Sequence, residues 1–314
     1  MDSALTQASN IIRSGGLVSF PTETVYGLGA DALNPAAVAR IFEVKQRPSF
    51  DPLIVHIAEA LELVRLATRL PENIEAIVDA FWPGPLTIVV PKRSMVPDIV
   101  TSGLESVAVR WPAHPIAQEL IRKARTPIAA PSANLFGKVS PTCAGHVAEQ
   151  LGDEIDMILD GGRCAVGVES TIVSFMEHEP RLLRHGGYAQ EDLESVMGPI
   201  ADSQSNPLPQ APGMLEKHYA PRTPVVFMDR YSGAEDRLGV LCFEGLADPH
   251  NCAAVEVLSA RGDLREAASN LFAAMRRIDK AAVDVILVER FPDRGLGRAM
   301  HDRQSRACNQ FQTE

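Results

Sequence analysis

The chain lacks the usual signatures of a metal ribbon, a phosphate loop or a hydrolase. Its five cysteines (Cys143, Cys164, Cys242, Cys252, Cys308) include no Cys-x-x-Cys pair, which argues against a zinc site and a disulfide framework. No Gly-x-x-x-x-Gly-Lys-Ser/Thr loop and no Gly-x-Gly-x-x-Gly fingerprint occurs, so a bound nucleotide would be held in another way. No serine sits in a Gly-x-Ser-x-Gly elbow, which disfavours a catalytic triad. No apolar run approaches the ~18 residues of a membrane span, and the first residues lack the basic flank and apolar core of a signal peptide. A cytoplasmic protein without a membrane partner is the expectation. Excess positive charge is also missing. The net charge is −10, and residues 1–200 hold 16 Lys and Arg against 24 Asp and Glu. A broad RNA-binding face is disfavoured by that balance, because such faces work through many phosphate contacts. A local cationic pocket is compatible with it.

What is present is a 314-residue chain, 46% hydrophobic, with enough length and apolar content for two domains. Leu17 to Phe20 reads as a buried strand, stopped at Pro21 by the missing N–H. Thr22, Glu23, Thr24 and Tyr26 follow in a loop that ends in Gly27 and Gly29. Asn34 and Pro35 open a helix with Val38, Ile41, Phe42 and Lys45 on one face. Pro48 ends it, and the strand Leu53 to Ile57 follows at once. Helices are expected near 5–14, 59–69, 72–82, 114–125 and 190–197. Further strands are expected at Leu86 to Val90, Ser106 to Arg110, Pro127 to Ala130, Ile155 to Leu159, Ser170 to Phe175 and Arg181 to Arg184, with Thr142 placed to cap a helix. Strands and helices mix without strict alternation, which predicts an α/β fold with a twisted mixed open sheet flanked by helices over residues 1–200. Six prolines fall between Pro199 and Pro224, marking a linker at 201–222. Residues 223–314 read as a small C-terminal α/β, Rossmann-like domain with parallel-type strands and a helix at 263–280. The tail from Gly295 is polar and basic, with only weak helical character.

The polar clusters at the strand ends share one chemistry. They hold hydroxyls (Thr22, Thr24, Ser106, Ser132, Ser140, Ser170), cations (Lys45, Arg47, Arg110, Arg184) and His56, with few carboxylates. That inventory suits an anionic ligand such as a phosphate. Each member also has an ordinary reading. A hydroxyl-rich turn is common, Lys45 and Arg47 would complement a helix C-terminus, and Arg110 and Arg184 would serve as surface ion-pair partners. His56, between Val55 and Ile57, would be a satisfied structural residue.

Six stretches in order carry a resemblance: Phe20 to Gly29, Lys45 to Pro48 leading into Pro52 to His56, Ser106 to Arg110, Ala130 to Asn134, Ser140 to Thr142, and Glu169 to Val173. Together they resemble the motifs of the YrdC-type threonylcarbamoyl-AMP synthases. The proline-rich linker ending in Lys217-His-Tyr-Ala-Pro221, followed by a small α/β domain, is similar to the long two-domain branch of that family. Asp51 stands where the family often has Asn, and Phe136 where a small hydroxyl residue is usual.

The resemblance implies an enzyme that converts L-threonine, bicarbonate and ATP into L-threonylcarbamoyladenylate and pyrophosphate. Magnesium would accompany the ATP, its ligands being left open, and the product would pass to a separate tRNA threonylcarbamoyl transferase complex. By position, Thr24, His56, Arg110, Ala130 and Ser170 would contact threonine. Arg47, Asp51, Ser106, Ser132, Ser140 and Arg184 would contact the nucleotide, with Lys45 and Arg47 the catalytic cations. His218 or Tyr219 of the linker would fold over the site. Two other readings stay open at this point: a carbamoyl-adenylate-forming carbamoyltransferase, and a non-catalytic RNA-binding or ribosome-maturation module.

Overall fold

A computed structural model describes residues 2–202, 210–233, 237–245 and 252–311. In chain order the first unit contains α1 (Asp2–Arg13), β1 (Val18–Phe20), β2 (Gly27–Asp31), α2 (Pro35–Lys45), β3 (Ile54–His56), α3 (Ala60–Leu66), α4 (Ile74–Phe81), β4 (Leu86–Pro91) and α5 (Asp98–Thr101). It continues through β5 (Ser106–Arg110), α6 (Pro115–Ala124), β6 (Ile128–Ala129), α7 (Ala144–Leu151), β7 (Met157–Ile158), β8 (Thr171–Ser174), β9 (Arg181–Arg184), α8 (Gln190–Met197) and β10 (Ala201–Asp202). The second unit has β11 (Val225–Phe227), β12 (Leu238–Cys242), β13 (Cys252–Val257), α9 (Leu264–Lys280), β14 (Val285–Val288) and α10 (Leu296–Asn309). Among the described residues no helix is long and apolar enough to cross a membrane.

The first ten strands form one open sheet, ordered β10-β9-β8-β4-β5-β3-β6-β2-β1-β7. It is mixed: β3 runs parallel to β5 and antiparallel to β6, while β4 runs antiparallel to β5 and parallel to β8. The four remaining strands form a fully parallel sheet, β11-β14-β12-β13. Parallel strands need crossovers, and α9 supplies a long one between β13 and β14.

Local sequence explains where the site-forming helix begins and stops. Asn34 accepts from the Ala36 and Ala37 amides, Pro35 occupies the first turn, and Gln46 closes the helix in a left-handed conformation with φ 51°. The turn delivers Arg47 at the helix end and leads by way of Asp51 into β3. Further along, Cys143 rather than Thr142 takes the N-cap position of α7 and makes no side-chain cap bond. The Thr142 amide donates instead to His146 Nδ1 at 3.2 Å. The supposed linker begins inside the sheet, since Ala201 and Asp202 pair with Arg181 and Leu182. Residues 203–209 of that linker lie outside the described residues. The tail read as weakly helical is a 14-residue helix, α10, that buries Met300, Arg303, Gln304 and Ala307.

The two units share a core. Val25, Val139 and Val168 from loops of the first sheet, with Tyr219, pack in one apolar cluster with Leu271, Phe272 and Met275 of α9. At Gly167, φ is +77° and an added Cβ would fall 2.4 Å from the Ser269 backbone, so only glycine permits this close approach of loop to helix.

Candidate active site

Four loops at strand ends of the large sheet, together with the segment Pro212–Tyr219, enclose one polar cavity. Its lining includes Thr24, His56, Arg110, Ala130 and Ser170 together with Arg47, Ser132, Glu169, Arg184, Gly213, His218 and Tyr219. The free space inside is about 50 Å³, against roughly 300–1,000 Å³ for pockets that hold small-molecule ligands. The segment Pro212–Tyr219, which lies along the cavity as a strap, leaves little of it free.

Arg110 reaches the cavity from the end of β5 and is buried, not a surface partner. Its Nη2 donates to Glu23 Oε1 at 2.6 Å, Nη1 to Thr24 Oγ1 at 2.9 Å and Nε to the Gly84 carbonyl at 3.3 Å. The hydroxyls of Thr24 and Thr22 lie 2.8 Å apart. His56 is buried with Nδ1 unpaired. Burial, followed by the nearby Arg110 charge, pushes its pKa down to about 3, so its imidazole is neutral at ordinary pH. A neutral ring beside a cation offers a hydrogen-bond partner to a ligand without adding charge.

Arg184 lines the same cavity and is buried. Its Nε and Nη2 donate to the Ser170 carbonyl at 3.1 and 2.9 Å, Nη2 also reaches Ser170 Oγ at 3.2 Å, and Nη1 donates to the Pro212 carbonyl at 2.9 Å. All these partners are neutral oxygens. Among the described residues no carboxylate lies within ion-pair distance of Arg184, and burial pulls its pKa down. The Glu169 charge acts on it through space without a direct ion pair, and a buried cation paired no more closely than that is costly, a cost that an incoming anion offsets. Arg47 is likewise buried and shifted down by burial. Its Nη2 stands 2.8 Å from Asp51 Oδ2 as an ion pair, although neither Asp51 oxygen accepts a well-directed hydrogen bond. Phe136 fits between cation and strap: its ring centroid lies 5.9 Å from the Arg47 guanidinium and 5.7 Å from that of His218.

Four expected site residues do not line this cavity. Lys45 is buried behind it and donates to the carbonyls of Ser132 (2.5 Å) and Asn134. Its ammonium is thus engaged in holding the Pro131–Lys138 loop, and burial followed by the Arg47 charge depresses its pKa strongly. Asp51 stands behind Arg47. Ser140 donates to Glu169 Oε1 at 2.5 Å from the layer beneath the wall. Ser106 shares a sheet face with Ala108 and Arg110 by strand alternation but sits at the far end of β5 opposite Pro91, outside the cavity.

Several participants were not singled out from the sequence. Glu23 orients Arg110 and also accepts from the Ala113 amide at 3.0 Å. Glu169 lies within a quoted motif, and its neighbour Ser170 drew attention instead. Arg303, in the tail, had no signal at all. The strap docks on α10: the His218 amide donates to the Arg306 carbonyl at 3.3 Å, Arg306 Nη1 to the Leu215 carbonyl, and Asn309 Nδ2 to the Glu216 carbonyl at 3.3 Å. Tyr219 sits at φ +64° with its ring stacked on Phe272 at 5.7 Å. Among the described residues no group of three or more His, Cys, Asp or Glu is placed to hold a metal. On the wall, Glu169 has both oxygens engaged.

The arrangement resembles that of known proteins over its whole length. The Sua5/YciO/YrdC family model, described as telomere recombination, matches residues 10–186, and the model for the threonylcarbamoyl-AMP synthase C-terminal domain matches residues 188–309. A threonylcarbamoyl-AMP synthase of Pyrococcus abyssi is 45% identical, covering 96% of this chain and 92% of the relative. One of Bacillus subtilis is 44% identical over 98% and 93%. The crystal structure of P. abyssi Sua5 complexed with L-threonine superposes with a TM-score of 0.90 at 44% identity, covering 98% of this chain and 94% of that one.

Proposed function

The chain belongs to the threonylcarbamoyl-AMP synthase family, and from that premise we propose that it joins L-threonine, bicarbonate and ATP into L-threonylcarbamoyladenylate with release of pyrophosphate. The observation that carries this reading is one cavity lined by both kinds of group: Arg110, Thr24 and neutral His56 suit a small zwitterion, and Arg184 and Arg47 suit phosphates.

Threonine's carboxylate pairs with Arg110, with Thr24, His56, Ala130 and Ser170 around the rest of the amino acid. The nucleotide lies along Arg47, Ser132 and Arg184 under His218 and Tyr219. Threonine's amine and bicarbonate form a carbamate with loss of water. A carbamate oxygen then bonds to the α-phosphorus, the bond from that phosphorus to the bridging oxygen breaks, and pyrophosphate leaves with the electron pair. The carbamate is already ionised, so no strong protein base is required. The protein's contribution is to align two anions that repel each other and to stabilise charge on the transferring group. Lys45, Asp51 and Ser140 act from behind the wall, by fixing Ser132, Arg47 and Glu169. Ser106 is left without a contact role in the closed form. The closed cavity is too small for both substrates, so the strap withdraws to admit them and returns to exclude water, and Mg²⁺ enters with ATP. The product passes, in the cytoplasm, to a tRNA threonylcarbamoyl transferase complex.

The test is pyrophosphate release from ATP with threonine and bicarbonate omitted in turn. Release that depends on both supports the proposal, and release indifferent to both rejects it.

A further inference from the structure

A carboxylate on the wall of an anion site has the wrong sign, and Glu169 is such a carboxylate. It lines the cavity near Arg184 and Ser170. Its charge is met from three directions. Ser140 donates to Oε1 at 2.5 Å from the loop before α7, Arg184 on β9 faces it electrostatically, and Arg303 Nε on α10 donates to Oε2 at 2.9 Å. Burial alone would raise the Glu169 pKa, yet Arg303, Arg184 and Ser140 outweigh it and hold it below the ordinary carboxylate range. The group is therefore an anion in the closed site.

Arg303 comes from the other unit of the chain and is fully buried. Its Nη1 donates to Asp302 Oδ2 at 2.7 Å, and its guanidinium carbon lies 5.0 Å from the Tyr219 ring centroid. Asp302 is shared with Arg306, which binds it at 2.9 Å, so Arg303 keeps positive charge to spare for Glu169. A buried ion pair is weak evidence of stability, since apolar replacements of both partners are often neutral. Its position on the wall of a phosphate site gives it another purpose.

We infer that Arg303 is a positioning residue for the reaction: a cation delivered by the C-terminal unit that cancels the charge of Glu169, so that Glu169 holds Ser140 without repelling the phosphates of the nucleotide. The inference rests on the nucleotide contacts proposed above. It also gives the second unit a part in the chemistry of the first.

Arg303→Met, Glu169→Gln and the double variant test it, with KM for ATP and for threonine measured by pyrophosphate release and ATP affinity measured separately by calorimetry. Stranding the carboxylate in Arg303→Met is expected to weaken ATP about 10- to 100-fold. The threonine KM should move less than about threefold by comparison, because Arg110 is untouched. Without Arg303 the burial of the carboxyl is less well opposed and its pKa rises relative to wild type, so the ATP defect should shrink as pH is lowered. Adding Glu169→Gln should restore ATP binding to within about threefold of wild type and flatten that pH response. A double variant as impaired as Arg303→Met, or a pH-independent defect, overturns the inference, since either means that Arg303 acts through packing alone. If Arg303→Met fails to fold, Arg303→Lys carries the test: ATP affinity within about threefold of wild type supports the charge role, and a loss of about 10-fold or more rejects it. Failure of wild-type pyrophosphate release would sink the proposed activity, whereas the calorimetric comparison would still judge Arg303.

Discussion

Removing Arg110 should separate threonine binding from ATP binding. The guanidinium has five N–H donors, and three are used by Gly84, Thr24 and Glu23. Two remain for a ligand carboxylate. Charge-assisted hydrogen bonds contribute ~1.5–3 kcal/mol each. Arg110→Ala also leaves Glu23, whose side chain is 12% exposed, as an unpaired anion facing the same space. Taking about 2.7 kcal/mol as a lower figure predicts a threonine KM raised at least ~100-fold. The ATP KM should change less than about threefold, since Arg47 and Arg184 are intact. Losing one partner of a fully buried pair costs ~3–5 kcal/mol of stability; with the Ala113 amide still bound to Glu23 and partial exposure, roughly 1–3 kcal/mol is expected. Steady-state pyrophosphate release over a threonine series at saturating ATP, and the reverse series, measures the split. A thermal melt checks the fold. Adding Glu23→Gln should recover stability but not threonine affinity. Equal rises in both KM values, or full rescue of threonine affinity by that second change, would refute the assignment of Arg110 to the amino-acid carboxylate.

Three further outcomes are expected. Gly213→Ala places a Cβ 2.5 Å from Tyr219 Oη and 3.1 Å from Arg184 Nη1 at φ +77°, so the strap should fail to seat; faster proteolysis within residues 210–219 and a higher ATP KM would show it, and unchanged cleavage would contradict it. Lys45→Met leaves the Ser132 and Asn134 carbonyls without their donor, with an expected loss of ~2–4 kcal/mol in denaturant unfolding; a variant of normal stability and normal ATP KM would mean that the ammonium does not anchor the loop. His56 is neutral in the fold with its pKa pushed down to about 3, while the unfolded chain binds its proton near pH 6.5. The unfolded state then holds more protons between those values, so stability falls as pH drops from about 6.5 toward about 3. His56→Gln should flatten part of that decline in pH-dependent melts, and an unchanged slope would count against the assignment.

Much of the site was legible because its loops are encoded locally. Thr24, Gly27 after it, Arg47 after a capped helix, and Ala130 to Ser132 at a strand end reach the cavity from short stretches whose turn chemistry is written in adjacent residues. The mixed sheet and the parallel second sheet followed from apolar runs and breakers. What could not be read were partnerships across sequence distance. Lys45 looked like a phosphate ligand because nothing local announces that its ammonium is occupied by two carbonyls some ninety residues later. Thr142 has the right chemistry for a cap, yet the helix starts one residue further on. The pairing of Arg303 with Glu169 links a polar tail to a strand end 134 positions away, and the residues that α10 buries, Met300, Arg303, Gln304 and Ala307 among them, are too polar a set to announce a buried face.

The valines that join the loops of the first sheet to α9 bear on what happens when the chain is shortened. Val25, Val139 and Val168 are no more than 6% exposed in the intact protein, and their cover is Leu271, Phe272 and Met275. Ending the chain after α8 would turn those three valines to water, Val25 being on the cavity wall itself. Burial of aliphatic side chains of that size contributes ~1.5–3 kcal/mol each, so the fragment would carry an exposed apolar patch. Such a fragment would be prone to self-association through that patch, and a well-behaved single-sheet version of this chain would need polar replacements at these three positions.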